Sequence, residues 1–229
     1  MNVIGNGQIA KAFKQELMRN VTIFASGVSD STCTNIASFQ REEKLLKESL
    51  KKSRESKFVY FSSCALSAKE GYVRTPYYDH KYKMEKIISD FTNNAYIFRI
   101  PQLFGAFVSH KTIINYFCES IINEKNFKVY DDAYRYLIHL EDVKILVLAY
   151  LNFSQPVCVD LANPYRYKVI DIVRDLESVL GKIASYHLVH KTDKYTLDLA
   201  EMIGFMNLHN IEIGFGEDYF RKRAEFIVE

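Results

Sequence analysis

The chain has 229 residues, 48% of them hydrophobic and 25% charged, with a formal net charge of +2. That is the composition of an ordinary soluble domain, long enough for one large unit or a unit with a small lobe. The near-neutral balance gives no general attraction to nucleic acid or an anionic membrane, and no apolar run approaches the roughly 20 residues of a bilayer span.

The first residues, MNVIGNGQIAKAF, lack the basic and apolar regions of a signal peptide. Val3-Ile4 leads into Gly5-Asn6-Gly7-Gln8-Ile9-Ala10, after which Ile9, Ala10, Phe13 and Leu17 recur on one helical face. The expected order is strand, glycine turn, helix. Residues 21–25 (VTIFA) form a second buried strand, closed by a turn-rich segment, and residues 39–52 a charged amphipathic helix. A third strand covers residues 58–61 and ends at Ser62-Ser63. A helix over residues 77–90 leads to a fourth strand at 95–100, stopped by Pro101. Nearly all-apolar strands alternating with helices indicate an α/β fold with a parallel sheet covered on both faces.

Later elements are a helix over residues 112–123, strands at 127–130 and 136–140, and a helix opened by Leu140-Glu141-Asp142. A strand at 156–161 and a helix over 169–180, stopped by Gly181, follow. The pattern predicts a Rossmann-like part, about residues 1–105 plus 127–150. A small substrate-binding lobe takes about 106–126 and 151–229. Basic runs such as Lys51-Lys52-Ser53-Arg54 read as solvated helix ends.

Gly5-x-Gly7-x-x-Ala10 fits the dinucleotide fingerprint: glycines admit a pyrophosphate to the backbone, and the helix start supplies N–H donors. A tight strand-to-helix turn needs glycine in any case. The acidic residue expected about 20 positions on, for the adenosine ribose, is missing, since the second strand ends in Ala25-Ser26-Gly27. Farther along, Tyr77 and Lys81 lie one helical turn apart, with Glu85 a turn beyond. A lysine so placed lowers a tyrosine's pKa, and the tyrosine then shuttles protons to a substrate oxygen. The competing reading is an amphipathic helix with packed tyrosines and snorkelling lysines. Cys33, Cys64, Cys118 and Cys158 lack paired spacing, against a disulfide framework or a zinc site and in keeping with a reducing cytoplasm.

In order, five stretches carry a resemblance. They are the glycine turn, the strand with Ser62-Ser63, Pro76-Tyr77-x-x-x-Lys81-x-x-x-Glu85, Arg99-Ile100-Pro101-Gln102-Leu103-Phe104-Gly105, and Arg135-Tyr136-Leu137-Ile138-His139-Leu140-Glu141-Asp142. Together they resemble the extended short-chain dehydrogenase/reductase family, in its sugar-nucleotide-modifying branch. The resemblance implies a doubly wound Rossmann-like sheet and an NAD or NADP cofactor. Gly5, Gly7, Gln8, Ile9, Ala25, Ser26 and Pro101 would face that cofactor. It implies Tyr77 as acid/base, Lys81 as its pKa-lowering and ribose-binding partner, and Ser63 as the hydroxyl on the reacting oxygen. Gln102, where the family has asparagine, and Arg135 would position a nucleotide-sugar substrate. Residues 21–29 look like the family's fourth strand, so its second and third strands are read as deleted, which leaves the first strand near a sheet edge.

Ser62-Ser63-Cys64 and Ser109-His110 resemble the GDP-fucose synthase group, in which an acid/base pair epimerises C3 and C5 beside a ketone. Cys64 and His110 are the candidates, with a buried hydrophobe and a loop residue as their structural readings. His80 and His139 read as structural. The expectation is a cytoplasmic, homodimeric enzyme reducing a 4-keto nucleotide sugar for surface polysaccharide, with C3/C5 epimerisation as an addition. The alternatives are an NAD-dependent C4-epimerase and a non-catalytic nucleotide or sugar-nucleotide binder.

Overall fold

The computed structural model describes residues 1–105 and 112–224. In chain order the elements are β1 (Asn2–Ile4), α1 (Gln8–Phe13), β2 (Val21–Phe24), α2 (Ile36–Lys52), β3 (Lys57–Ser63), a 3-10 turn (Cys64–Ser67), α3 (Pro76–Phe91) and β4 (Ala95–Ile100). Next come β5 (Gln102–Phe104), α4 (Ile113–Ile122), β6 (Phe127–Arg135), β7 (Leu137–His139), α5 (Leu140–Phe153) and β8 (Val157–Asp160). The rest are β9 (Tyr167–Lys168), α6 (Val169–Leu180), β10 (Tyr186–Asp193), α7 (Ala200–Leu208) and α8 (Tyr219–Ala224).

The chain divides into two compact units, Met1–Ile100 with Leu140–Leu161, and Pro101–His139 with Ala162–Glu229. The boundaries differ from the expected ones. β8 pairs in parallel with β4, which draws residues 151–161 into the first unit. Residues 127–139 fall in the second, because β6 pairs with β9 and β10.

The first unit is an α/β Rossmann-like layer. Its sheet runs β1-β2-β3-β4-β8, and every adjacent pair is parallel. β1 forms one edge, as the missing strands required. Alternation along β3 separates two cores. Phe58 and Tyr60 join Phe24, Ile97, Leu46, Leu50, Met84 and Ile88 under α2 and α3. On the other face Phe61 meets Phe13 of α1 at 6.0 Å and Phe98 at 6.3 Å, and Phe98 meets Tyr150 of α5 at 5.6 Å. Burying such side chains contributes about 1.5–3 kcal/mol each before entropy is counted.

Helix starts follow from local chemistry. The Asn35 side chain accepts from Ser38 N at 3.1 Å and starts α2 three residues before the apolar period does. Thr75 Oγ1 accepts from Tyr78 N at 3.2 Å, and Pro76 occupies the first helical position of α3. α1 is shorter than expected. It stops at Phe13, and Leu17 is 97% exposed instead of sharing the buried face of Ala10 and Phe13.

In the second unit β6 lies between β10 and β9, and β5 pairs in parallel with β7. α6 packs on β6, α4 and α8. Asn163, fully buried, donates to Tyr167 Oη at 2.9 Å and to the Gly216 carbonyl at 2.8 Å, tying the C-terminal segment down. Among the described residues no helix is long and apolar enough to cross a membrane, and no group of acidic, His and Cys side chains forms a metal cluster.

Candidate active site

The glycine turn sits where β1 meets α1. Gly5 has φ +132°, a conformation L side chains rarely adopt, and a Cβ there would collide with the Ala25 carbonyl at the end of β2. A Cβ on Gly7 would meet nothing within 4 Å. No side chain caps the start of α1, and its first turn carries no acidic residue. Gln8 and Ile9 open that helix. Ala25 N donates to the Ile4 carbonyl at 2.8 Å, extending the parallel pairing to the turn. An additional residue arrives here from α2: the Arg41 guanidinium donates to the Ser26 carbonyl at 3.2 Å and to its hydroxyl at 3.4 Å. Arg41 lay in a run of charged helix, and only the fold brings it to Ser26.

β3 delivers Ser62, Ser63 and Cys64 at its end. Ser63 Oγ accepts from Ala65 N at 3.4 Å and caps the 3-10 turn. Cys64 is buried at the start of that turn. Ser62 Oγ is buried without a hydrogen-bond partner. α3 packs against the 3-10 turn and supplies Tyr77. Tyr77 stacks edge-on with Tyr78 at 5.3 Å. Burial, together with the neighbouring acidic groups of Tyr78, Glu42, Cys64 and Asp30, pushes its phenol well above the ordinary tyrosine range.

Burial is the largest cause of that direction. The Lys81 ammonium lies 5.8 Å from the Tyr77 ring centre, but its hydrogen bonds go elsewhere. It donates to Glu42 Oε1 at 3.2 Å and to Tyr60 Oη at 3.1 Å. Glu42, from α2, has no exposed surface, and Lys81 is 3% exposed. The same carboxylate accepts from Tyr60 Oη at 2.8 Å, His80 Nε2 at 3.0 Å and Val28 N at 2.6 Å. Burial alone would raise the Glu42 carboxyl, but Lys81, His80 and Val28 outweigh it and hold it at about 2. Burial pulls the Lys81 ammonium down, and Glu42 opposes that pull. The Lys81 ammonium is thus paired with a buried carboxylate.

His80, read as a histidine without a named partner, has one in Glu42 and also stacks on Phe39 at 4.5 Å. Glu85 does not continue a site row. It grips Arg99 bidentately at 2.9 and 2.6 Å, a strut between α3 and β4. Arg99 also donates to Ser67 Oγ, which bonds Asp160 on β8.

Pro101, Gln102 and Arg135 belong to the second unit. Gln102 N donates to the Tyr136 carbonyl at 3.2 Å. The Arg135 guanidinium is held by the Asp193 carboxylate at 2.5 Å and by the Tyr134 and Asp193 carbonyls. His139 packs edge-on against Phe104, and burial lowers it to about 4. His110 and Ser109 lie outside the described residues.

No family model matches the chain, and no curated protein matches it. Solved structures do. The UDP-glucose 4-epimerase of Thermus thermophilus, in complex with NAD, is 13% identical with a TM-score of 0.74, over 91% of this chain and 78% of that one. The UDP-N-acetylglucosamine 4-epimerase of Methanobrevibacter ruminantium is 15% identical with a TM-score of 0.73, over 97% and 79%. The dTDP-glucose 4,6-dehydratase of Bacillus anthracis, in complex with NAD, is 15% identical with a TM-score of 0.72, over 91% and 71%. The sheet order, the glycine turn and these matches agree: the chain has the fold of the sugar-nucleotide epimerases and dehydratases.

Proposed function

We propose that the protein is an enzyme that modifies a nucleotide-activated sugar with NAD(H) or NADP(H), and that its reaction is reduction of a 4-keto group. The carrying observation is the arrangement at the carboxyl ends of β1, β2 and β3. There a bare glycine turn, a Ser63-Cys64 turn and the buried Tyr77 phenol occur together on a fold whose solved examples include NAD complexes.

The chain's groups fit a dinucleotide in part. The open space over Gly7 and the uncapped start of α1 suit a pyrophosphate. Arg41, held at Ser26, adds a cation beside the strand end. Lys81 has two of its three donors engaged by Glu42 and Tyr60, which leaves one for a ribose hydroxyl. When bound, the nicotinamide supplies the hydride. Tyr77 gives its proton to the ketone oxygen and Ser63 hydrogen-bonds that oxygen. Cys64, buried beside Ser63 at the start of the 3-10 turn, would exchange a proton at a carbon beside the ketone.

A second reading, an NAD-dependent C4-epimerase, is favoured by the 4-epimerases among the similar structures. The two separate in one assay. A 4-keto nucleotide sugar should consume NAD(P)H stoichiometrically under the first reading. Under the second, a 4-hydroxy sugar should interconvert with no net change in nicotinamide absorbance. Tyr77→Phe should reduce turnover by about 100-fold or more while cofactor binding persists. Turnover that survives Tyr77→Phe sinks the assignment.

A further inference from the structure

Glu42 has no part in the chemistry just assigned, yet Val28 N, Tyr60, His80 and Lys81 all converge on it. Burying an unexposed carboxylate against a buried ammonium is costly, and such a pair is weak evidence for stability, since apolar residues often serve as well. Its position gives it another use. A free ammonium within 5.8 Å of the Tyr77 ring would draw off the phenol proton. Glu42 Oε1, 3.2 Å from the same nitrogen, cancels that field. The loop backbone closes over the pair: a Cβ on Gly27 would stand 2.7 Å from Lys81 Nζ and 2.9 Å from Glu42 Oε1. Glu42 has no exposed surface and Lys81 is 3% exposed, so solvent screens the two charges little.

We propose that Glu42 is a positioning residue that cancels the Lys81 charge at Tyr77, so that Tyr77 serves as a proton donor and not as a base. The charge cancellation stands on the protein alone; its consequence for direction rests on the reductase reading. In the donor direction the carbonyl carbon receives a hydride with its electron pair from the reduced nicotinamide, which is left oxidised. The carbonyl π pair moves to oxygen, the oxygen takes the Tyr77 proton, and the phenolate recovers a proton from water. An alkoxide is a far stronger base than any phenolate, so this transfer runs downhill even from a weakly acidic phenol. The reverse step needs a standing phenolate at neutral pH. The groups around Tyr77 and Lys81 are Glu42 from α2, Tyr60 from β3, Cys64 from the 3-10 turn, Asp30 from the loop after β2, and Tyr78, His80 and Glu85 from α3. Among these, the Glu42 and Asp30 carboxylates oppose the phenolate, and burial opposes it most. A C4-epimerase must oxidise before it reduces, so its first step needs that phenolate.

The test uses the full chain without cofactor or substrate. Difluorotyrosine placed at position 77 alone is a stronger acid than tyrosine, and fluorine NMR reads its ionisation free of the other 15 tyrosines among the 16. Glu42→Gln should move that ionisation down by about one pH unit or more. Glu42→Gln with Lys81→Met removes both charges and should leave it within a few tenths of a unit of the parent. An unmoved midpoint in the folded single variant overturns the proposal. So does a rise of about one unit or more in the double variant, since Lys81 would then be acidifying Tyr77 after all. If the single variant does not fold, the double variant decides alone. Because no cofactor is present, failure here is distinct from failure of the reductase reading, which shows as absent dinucleotide binding.

Discussion

The Glu42–Lys81 pair makes a sharp energetic prediction. Glu42→Gln keeps the shape and most hydrogen-bonding capacity but strands the Lys81 ammonium, which is 3% exposed. Lys81→Met strands the carboxylate instead. Removing one member of a buried pair costs about 3–5 kcal/mol, because the remaining charge has lost its compensation. For a chain of this size each kcal/mol moves the melting midpoint by about 2–4 °C, so either variant should melt roughly 6–20 °C below the parent. The double variant replaces the ion pair with neutral groups of similar volume and should lose no more than about 1–2 kcal/mol. Thermal melts of all four proteins by circular dichroism, at one pH and salt concentration, close the cycle. Additive losses would refute the reasoning, since they would mean that the two side chains stabilise the fold independently.

Other consequences are open to direct measurement. The Glu42 carboxyl is held at about 2 against an ordinary 4.5. The unfolded chain therefore takes up this proton first as pH falls. The contribution is complete above about 4.5 and is lost progressively towards about 2. An acid titration of stability should be steeper in the parent than in Glu42→Gln over that window, and equal slopes would contradict the assignment. Ser62→Ala deletes a buried hydroxyl that has no partner, so its unfolding free energy from urea melts should be unchanged or higher by up to about 1 kcal/mol; a loss of more than about 1 kcal/mol would reveal an unrecognised bond. Gly5→Ala forces a Cβ onto the Ala25 carbonyl at φ +132° and should cost about 1–3 kcal/mol by chemical denaturation. Arg41→Met should weaken dinucleotide binding by about 10-fold with little change in melting temperature, and undiminished binding would remove Arg41 from the phosphate site.

Elements that carry strong local signals were legible in both units. β4 and α6 fall on the expected residues, since Pro101 ends one and Gly181, at φ +61°, ends the other. The edge position of β1 followed from the missing strands. β10 was missed because YHLVHKTD is polar and mostly exposed, with one-sided pairing to β6 and no apolar period. Asp193, which bonds Arg135, was not visible in the sequence because it lies 58 residues away and reaches Arg135 through the parallel pairing of β6 and β10. Glu42 lay unremarked in a charged amphipathic helix, for its partners lie 18, 38 and 39 residues distant. One signal was present: Glu42 stands one helical turn before Leu46 and two before Leu50, on the buried face of α2. A carboxylate on an apolar helix face needs a buried partner, and the only way to name it is through the three-dimensional packing of α2 on α3.

The central claim is that this shortened nucleotide fold still holds the cofactor its Tyr77 chemistry requires. The direct measurement is a titration of the purified chain with NAD(H) and NADP(H), read by nicotinamide fluorescence and by melting temperature, alone and with UDP-, GDP- and dTDP-sugars. Saturable binding of at least one dinucleotide is expected, weakened by Gly5→Ala and retained in Tyr77→Phe. No binding of any of the four dinucleotide forms at millimolar concentration would contradict it.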